Sequence, residues 1–436
     1  MSRNITVIGT GYVGLVAAVG LADFGNTLIG VDIDKEKVNQ LNNGNPVIYE
    51  VGIKEYLLKN IKSKRLTFTS DIGSAIKKSE VILIAVGTPS KEDGSVDLSQ
   101  IEAVADSIAQ NLNDFKVIVT KSTVPVGTNR WLKRRIEELS GNKKIDIVSN
   151  PEFLREGKAL HDFFHPDKVV IGYESEKIID YIEDIYRTLY LIQTPFVWCN
   201  LETAELIKYA GNTYLATKIT FINQMANLSE AVGADIHVIA KALGMDGRIS
   251  PKFLHPGPGY GGSCFPKDTK GILHIAKSKG IDLTLIKEVI QANEKQKYRM
   301  AEKLKRLIGE LDGKTIAVLG LAFKAETDDV RESPSLKILG KLLEEGANVR
   351  AHDPKALDNF RKIFSQSSSI EYCENEFDTI RNADAIMILT EWNEYRNLDL
   401  ERVKKEMRGN IIIDTRNVLD REYARSLGFV YEGMGR

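Results

Sequence analysis

The sequence predicts an α/β protein in which two doubly wound parallel sheets are joined by a long central helix and a helical connector domain. Three features of the chain predict this fold class. In residues 1–195, short β-branched runs alternate with helical patterns. A proline-free helical pattern then extends from Leu201 to Val232, and the alternation of strands and helices resumes near Gly313.

The predicted strands of the first sheet are short apolar runs between helical patterns. They are Ile5–Gly9, Leu28–Asp32, Leu66–Thr69, Val81–Val86, Val117–Thr120, Asp146–Ser149 and Val169–Gly172. Because strands that alternate with helices form parallel sheets, we expect one doubly wound domain over residues 1–199.

Residues 200–311 are predicted to form a helical connector domain, because Ala, Leu, Ile and Glu dominate Leu201–Val232 and further helical segments follow up to about Leu311. Within it, Ile249–Asp268 is rich in Gly and Pro and is expected to be irregular, which is typical of functional segments. A second, smaller sheet domain is expected over residues 312–436, with strands at Thr315–Gly320, Val349–Asp353, Ala385–Leu389 and Ile411–Asp414.

The composition is that of an ordinary globular protein. A net charge of −1 over 436 residues gives no indication of a nucleic-acid partner or an anionic membrane. No apolar stretch approaches the roughly 20 residues of a membrane helix, and the N-terminus lacks the cleavage region of a signal peptide. The three cysteines form neither a disulfide framework nor a metal site, so we expect a cytoplasmic protein without metal.

A glycine pattern near the N-terminus predicts a dinucleotide site. Gly9, Gly11 and Gly14 follow a strand and open a helix, where they permit a tight turn, approach of the backbone to a pyrophosphate, and packing of helix on strand. Asp32 ends the next strand, where a carboxylate accepts from ribose hydroxyls and repels a 2′-phosphate. NAD is therefore favoured over NADP, although the cation Lys37 complicates this preference. The alternative is a turn that binds another nucleotide or none.

Two threonines follow later strands of the same sheet. Thr88 and Thr123 lie at carboxyl ends of strands, where parallel sheets bind ligands. Both are candidates for contacts on the nicotinamide side. The alternative is that they are ordinary turn residues near a proline.

Cys264 is the candidate nucleophile. It lies in the segment Gly261–Asp268, among glycines and charged residues, where a substrate can approach closely and charged neighbours can activate a thiol. Cys199 and Cys373 are expected to be inert, as most cysteines are.

Further polar residues suit the stabilisation of an oxyanion and general acid–base chemistry. Lys208 and Asn212 are four residues apart in a helical pattern and project from one face. Glu152 and Glu156 follow a strand end and could supply a general base. Asp268 could orient a water molecule or tune the thiolate. The alternatives are a surface pair, a charged helix start and a helix cap, respectively.

With these residues in hand, the chain resembles the UDP-glucose/GDP-mannose dehydrogenase family over essentially its whole length. The motifs that carry the resemblance are Gly9–Gly14, Gly87–Pro89, Ser122–Pro125, Asn150–Gly157, Pro166–Val169, Lys208–Asn212, Gly244–Lys252, Gly259–Asp268, Phe323–Lys324 and Arg331–Ser333.

The resemblance implies a four-electron oxidation of a sugar nucleotide, with NAD as the hydride acceptor. The C6 alcohol of UDP-glucose would become a carboxylate with two NAD reduced, through a thiohemiacetal and then a thioester on Cys264. Lys208 and Asn212 would steady oxyanions, and Asp268 would assist the thiol or the hydrolytic water. Glu152 resembles the acid/base residue of the family, and Thr123 would position water or cofactor.

The resemblance also implies two larger sets of contacts. Those with the cofactor are Gly9, Gly11, Tyr12, Val13, Gly14, Asp32, Lys37, Thr88, Thr123, Glu156, Lys267 and Arg331. Those with the UDP-sugar are Glu152, Phe153, Leu154, Arg155, Glu156, Lys208, Asn212, Arg248, Phe253, Leu254, His255, Pro256, Gly257, Gly261, Lys324 and Arg416. Arg248 would reach the site of a neighbouring subunit and the long helix would form a dimer core, so at least a homodimer is expected.

Three alternatives stay open at this point. Relatives that oxidise GDP-mannose share the mechanism and the Gly-Gly-Ser-Cys core, whereas those that oxidise UDP-N-acetylmannosamine usually have a histidine where this chain has Ser263. The string Arg248–Leu254 most resembles the members that act on UDP-glucose. A two-electron hydroxy-acid dehydrogenase would need neither Cys264 nor a second sheet. A non-catalytic NAD-binding protein would not need the cysteine segment.

Overall fold

The computed structural model describes residues 2–141, 144–365 and 367–436. These residues divide into two compact units. One comprises Met1–Gly211 with Lys270–Ile281, and the other comprises Asn212–Thr269 with Asp282–Arg436. The division falls inside one long helix, Leu201–Val232. The expected domains at 1–199, 200–311 and 312–436 stay a prediction.

The first unit is built on a sheet in which eight strands are described. They are β1 (Asn4–Ile8), β2 (Thr27–Val31), β3 (Leu66–Thr69), β4 (Val81–Ile84), β5 (Lys116–Thr120), β6 (Ile145–Ser149), β7 (Val169–Tyr173) and β8 (Phe196–Cys199). Their order is β3-β2-β1-β4-β5-β6-β7-β8. The strand order reverses between β1 and β4, which creates the crevice where doubly wound sheets bind ligands.

One strand pair departs from the expected parallel arrangement. β7 runs antiparallel to β6, with Ser149 opposite Gly172, whereas β7 and β8 are parallel. β7 therefore starts beyond the carboxyl end of β6 and returns beside it. The segment between β6 and β7 does not have to cross to the opposite edge of the sheet. Its polar residues therefore stay at the carboxyl edge.

Helices cover the first sheet on both faces, as expected for a doubly wound fold. Those before the long helix are α1 (Tyr12–Asp23), α2 (Lys35–Asn42), α3 (Ile53–Lys62), α4 (Ile72–Lys78), α5 (Ser99–Asn111), α6 (Thr128–Ser140), α7 (Ala159–Phe164), α8 (Ile179–Ile185) and α9 (Arg187–Leu191), with a 3₁₀ turn at Glu176–Ile178.

The second unit combines a helical part with a smaller parallel sheet. The helices that follow are α10 (Leu201–Val232), α11 (Ile236–Met245), α12 (Phe265–Ser278) and α13 (Thr284–Ile308), of which α10 and α12 belong to both units. The sheet contains β9 (Thr315–Leu319), β10 (Asn348–His352), β11 (Ile370–Tyr372), β12 (Ala385–Ile388), β13 (Ile411–Asp414) and β14 (Val430–Glu432), in the order β11-β10-β9-β12-β13-β14. Its helices are α14 (Pro334–Glu344), α15 (Leu357–Ile363), α16 (Glu376–Ile380), α17 (Asn393–Arg396), α18 (Leu400–Glu406) and α19 (Arg421–Ser426).

The expected α/β class is confirmed, and the predicted long helix coincides with α10. Every strand expected from the sequence is present within two residues of its predicted bounds. The sequence prediction missed β8, β11 and β14. β11 and β14 have only three residues, which is too short for a hydrophobic period to be recognised, and none of the four residues of β8 is buried.

Two other findings concern the described residues as a whole. None of their helices combines the length and the apolar character that crossing a bilayer requires. Within the same residues, no group of three or more His, Cys, Asp and Glu side chains is arranged to hold a metal ion.

A buried carboxylate on α10 caps the N-terminus of α6. Glu205 is 2% exposed, and its oxygens accept from the backbone N–H groups of Gly127 (2.6 Å) and Asn129 (2.8 Å) and from the Asn129 side-chain amide (2.7 Å). Burial raises the pKa of Glu205, and these donors oppose the shift. Because Gly127 has no side chain that could cap the helix, Glu205 takes the place of a local N-cap.

We predict that Glu205→Ala lowers the free energy of unfolding by about 2–4 kcal/mol, because buried donors lose their acceptor. Glu202→Ala is the matched control, since Glu202 is on the same helix but forms an exposed ion pair with Arg130. Denaturant unfolding of both variants measures the difference. Equal losses in the two variants would contradict the capping role.

Candidate functional site

The turn between β1 and α1 has the geometry that the glycine pattern predicts. Gly9 has φ 91°, and a Cβ there would lie 2.8 Å from the carbonyl oxygen of Ala85. A Cβ on Gly14 would clash with the carbonyl of Gly9. Gly11 precedes α1, and a Cβ on it would meet nothing within 4 Å. The open space beside Gly11 adjoins the N–H groups of the first helical turn, so the residues present fit a bound pyrophosphate.

Asp32 lies just after β2, as expected for a ribose-binding carboxylate. Its Oδ2 accepts from the N–H (3.0 Å) and the hydroxyl (2.7 Å) of Thr10 and from Nζ of Lys37 (2.7 Å). Burial would raise the pKa of Asp32, but Lys37 and Thr10 outweigh it and hold the pKa below the ordinary value. Asp32 is therefore ionised at neutral pH, and its contact with a ribose stays a prediction.

Tyr12 in the glycine turn is linked to the segment that follows β6. Its hydroxyl donates to Glu50 and accepts from the N–H of Gly157 (2.7 Å), which also donates to Glu50 Oε2 (2.8 Å). The sequence reasoning missed Glu50, because a single acidic residue in a loop has no spacing that distinguishes it. The contact ties the expected cofactor turn to the segment that carries Glu152 and Glu156.

The two threonines of the carboxyl edge lie together. The hydroxyl of Thr88 donates to the carbonyl of Thr123 (2.9 Å), and Ser122 donates to the carbonyl of Val86 (2.7 Å). The structure therefore joins the segments after β4 and β5 at the point where the strand order predicts a ligand.

Glu152 and Lys208 form a buried ion pair in the first unit. Nζ of Lys208 donates to Oε1 (2.9 Å) and to the backbone carbonyl (2.7 Å) of Glu152, and Oε2 accepts from the N–H of Leu154 (2.5 Å). The side chains of Lys208 and Glu152 are 4% and 7% exposed, respectively. Burial would raise the pKa of Glu152, but the Lys208 ammonium and the Leu154 N–H hold it below the ordinary value. The pair is thus an ionised carboxylate beside an ammonium, which can exchange protons with a nearby group.

The neighbours of Glu152 differ in their surroundings. The Phe153 ring lies 5.4 Å from Nζ of Lys208 and 4.5 Å from Nζ of Lys168. Arg155 is exposed and forms a bidentate ion pair with Asp162 (2.8 and 2.6 Å). Contact of Phe153, Arg155 and Glu156 with a ligand stays a prediction.

The candidate nucleophile Cys264 lies at the start of α12 in the second unit. The N–H of Asp268 donates to the carbonyl of Cys264 (2.8 Å), so the cysteine occupies the cap position, and its half-buried thiol lies 3.5 Å from the Ser263 hydroxyl. Asp268 is 1% exposed and accepts from the Asn212 amide (2.5 Å) and from Nζ of Lys267 (2.6 Å). The thiol thus precedes a helix N-terminus, where negative charge is stabilised.

Close backbone packing requires the two glycines before this cysteine. A Cβ on Gly261 would clash with the carbonyl of Glu332, and Gly262 has φ 82° with the Phe323 ring beside it. The N–H of Gly262 donates to the carbonyl of Arg331 (2.9 Å). The two glycines therefore serve close packing within the chain, and close approach of a substrate to Cys264 stays a prediction.

The segment 255–260 is held by side-chain amides from α10 and α13. Asn223 accepts from the N–H of Gly257 (2.8 Å), and Gln296 donates to its carbonyl (3.0 Å). Asn293 bonds both backbone groups of Tyr260 (2.8 and 3.1 Å). The sequence reasoning missed these amides, because the buried face of α13 on which they lie also carries two lysines and does not read as a clean apolar face.

Arg416, expected to bind substrate, lies beside this segment in the second unit. It donates to the carbonyls of Leu389 (2.8 Å) and Phe323 (3.0 Å), and a Cβ on Gly257 would lie 3.0 Å from its Nη1. Lys324 Nζ lies 5.5 Å from the Phe323 ring. The structure therefore brings Gly257, Lys324 and Arg416 to one region near the carboxyl ends of β9 and β12.

Two other predicted arginines have local carboxylate partners. Arg331 pairs with Asp329 (2.8 and 2.7 Å), and Arg248 pairs with Asp246 (2.6 Å). The side chain of Arg248 is 89% exposed. Their roles at the cofactor and at a neighbouring subunit stay predictions.

Comparison with known protein families gives three matches along the chain, all to one family. Models of the UDP-glucose/GDP-mannose dehydrogenase family match residues 3–190 (NAD binding domain), 202–295 (central domain) and 317–421 (UDP binding domain). The chain is 46% identical to the UDP-glucose 6-dehydrogenase TuaD of Bacillus subtilis, covering 100% of this chain and 93% of that protein. It is 44% identical to a UDP-glucose 6-dehydrogenase of Rhizobium meliloti, covering 99% of each.

A solved structure agrees with this assignment. A UDP-glucose dehydrogenase from Pyrobaculum islandicum superposes with a TM-score of 0.92 at 38% identity, covering 99% of this chain and 98% of that chain. The family resemblance read from the sequence is confirmed, as are the NAD cofactor and the dehydrogenase class. The chain therefore belongs to the UDP-glucose/GDP-mannose dehydrogenase family.

Proposed function

We propose that this chain is an NAD-dependent UDP-glucose 6-dehydrogenase that oxidises UDP-glucose to UDP-glucuronate by way of a thioester on Cys264. The observation that carries the proposal is the placement of Cys264 at the N-terminus of α12, one helical turn from the buried Asp268–Asn212 pair. A hydroxy-acid dehydrogenase has no use for such a thiol. The full-length similarity to UDP-glucose 6-dehydrogenases supports the choice of substrate.

The chemistry assigned to the chain follows from its own groups. Bound NAD supplies the hydride acceptor for each of the two oxidations. Cys264 attacks the C6 aldehyde, forming a C–S bond and a tetrahedral oxyanion, and the second oxidation leaves a thioester. Water then adds to the thioester carbonyl and the C–S bond breaks, which releases the carboxylate and restores the thiol.

The remaining site residues divide these tasks. Lys208 and Asn212 are one turn apart on α10 and supply an ammonium and an amide for the developing oxyanions. Asp268, held by Asn212 and Lys267, assists the thiol or the hydrolytic water. Glu152 accepts and returns protons, and Thr123 positions water or cofactor.

The second sheet is assigned to the UDP moiety. A UDP binding domain model matches residues 317–421, which include Lys324 and Arg416. Together with Gly257 these residues offer two cations and close backbone approach, which suit a diphosphate. GDP-mannose is the competing substrate within the same family.

We further propose a homodimer built on α10. Tyr214, Phe221, Leu228 and Val232 are 61%, 45%, 53% and 66% exposed in the single chain. They are spaced by seven, seven and four residues, so they share one helix face. Large apolar side chains in such a row are typical of a surface that a second subunit covers. A cytoplasmic location also stays part of the proposal, supported by three cysteines that form no disulfide.

We predict that the protein releases two NADH per UDP-glucose and that UDP-glucose outcompetes GDP-mannose and UDP-N-acetylated hexoses. Absorbance at 340 nm with chromatography of the product measures the stoichiometry. A preference for GDP-mannose would show that UDP-glucose is not the substrate. One NADH per sugar nucleotide would reject the four-electron reaction.

In the same assay, Cys264→Ser should lower uronate formation by roughly 10³-fold or more, because it removes the thioester route. Cys199→Ser is the control, since Cys199 is likewise half-buried but bonds only to the carbonyl of Ile171 (3.7 Å) among the contacts described. An unchanged yield from Cys264→Ser would reject covalent catalysis.

We predict that Asp32→Asn raises the KM for NAD about tenfold and narrows the preference for NAD over NADP, because it removes the charge facing the ribose. Steady-state kinetics with both cofactors measure the change. Asp34→Asn is the control, since Asp34 caps α2 and Asn also caps helices. A similar change in both variants would contradict the assignment.

We predict that the double variant Phe221→Glu with Leu228→Glu sediments as a monomer, while the native protein sediments as a dimer or larger. Charges buried in an apolar interface oppose association. Leu139→Glu is the control, since Leu139 is 58% exposed on α6. A native protein that is monomeric at micromolar concentration would contradict the proposed interface.

A further inference from the structure

A lysine just after β5 is buried although the proposed mechanism gives it no task. Lys121 is 5% exposed. Its Nζ donates to Oδ1 of Asn150 (3.1 Å) and lies at longer range from the Asn150 carbonyl (3.5 Å) and the Tyr186 hydroxyl (3.4 Å). These three acceptors are neutral, and buried lysines are otherwise found paired with a carboxylate.

The burial of Lys121 has an electrostatic cost. Burial lowers the pKa of Lys121 to about 8, the negative charge of Glu152 opposes the shift, and the positive charge of Lys208 adds to it. The protein thus keeps a second cation near a carboxylate that already has an ion-pair partner.

The task is suggested by what Lys121 touches. Asn150 directly follows β6, two residues before Glu152, and its own side chain also donates to the carbonyl of Val170 (2.9 Å) and accepts from the Tyr186 hydroxyl (2.6 Å). Lys121 therefore holds the segment that carries Glu152. Its charge, with that of Lys208, also acts on the Glu152 carboxylate.

We propose that Lys121 is a positioning residue for Glu152, which it serves by anchoring Asn150 and by adding a second positive charge to the surroundings of the Glu152 carboxylate. The charged groups that act on this carboxylate are Lys208 on α10 and, more weakly, Lys121 just after β5. The catalytic role of Lys121 rests on the proposed function of Glu152. The anchoring of Asn150 by Lys121 does not depend on that function.

The sign of the effect follows from the charges. Lys121→Met keeps the aliphatic stem but removes a positive charge, so the pKa of Glu152 rises toward its ordinary value or above it. If ionised Glu152 is required, the acidic limb of the kcat against pH profile moves to higher pH by about one unit. The KM for NAD should stay unchanged.

Lys116→Met is the matched control. Lys116 is the first residue of β5, at the end of the strand opposite Lys121, and it is 3% exposed, with its Nζ donating to the carbonyl of Ser79 (2.7 Å). Burial lowers the pKa of Lys116 as well. Both variants replace a buried lysine in one strand and can lose stability, but only Lys121→Met should move the acidic limb.

A double-mutant cycle tests the arrangement without catalysis. Urea midpoints are measured for Lys121→Met, Glu152→Gln and the double variant, and for the same cycle with Lys116→Met. In the native protein, Lys121→Met removes the attraction between Lys121 and Glu152, but with Glu152 already neutral there is no such attraction to lose. The first double variant should therefore be more stable than additivity predicts, and the Lys116 cycle should be additive.

The outcomes separate this proposal from the proposed function. If the native protein turns over no sugar nucleotide, the function fails and the cycle alone decides the role of Lys121. An additive Lys121 cycle overturns the proposal whatever the activity. An acidic limb that stays in place in an active Lys121→Met enzyme also overturns it, whereas a moved limb with a non-additive cycle supports it.

Discussion

The buried ion pair between Lys208 and Glu152 is the constraint on which the first unit depends. Two charges withdrawn from water have to be matched by each other and by nearby polar groups, because an unmatched charge costs several kcal/mol. Lys208 therefore binds both the carboxylate and the backbone carbonyl of Glu152, which fixes the segment after β6 against α10. One turn earlier on α10, Glu205 fixes the start of α6, which follows Thr123. A single helix thus holds two segments of the carboxyl edge.

A second constraint is the close approach of two backbone segments, which glycine permits because it has no side chain. At the first turn, Gly9 and Gly14 let β1, α1 and the segment after β4 meet without side chains between them, which exposes a helix N-terminus to a pyrophosphate. Before Cys264, Gly261 and Gly262 pack against Glu332 and Phe323 in the same manner. The two sites present different chemistry, a helix N-terminus and a thiol, but both depend on the absence of Cβ.

The agreement between sequence and structure is greatest where one local pattern decides the outcome. The long helix was predicted to its terminal residues because its period is unbroken and proline is absent from it. The direction of β7 could not be predicted, since an apolar strand reads the same in either direction. Asp32, Cys264 and Asn212 were proposed from residue type and spacing, and their roles stay predictions. Glu50, Glu205 and Asn223 were not proposed, because no local spacing distinguishes them from ordinary polar residues.

The sequence by itself determined the α/β class, the glycine turn, the thiol segment and the family, since each is encoded in contiguous residues with a characteristic spacing. Tertiary structure alone decided which charges are buried together. Glu152 meets Lys208 across 56 residues of chain and Gly127 meets Glu205 across 78, and no local period encodes such pairs. Burial turns these distant contacts into strong ones, because charge inside a protein is screened far less than at its surface.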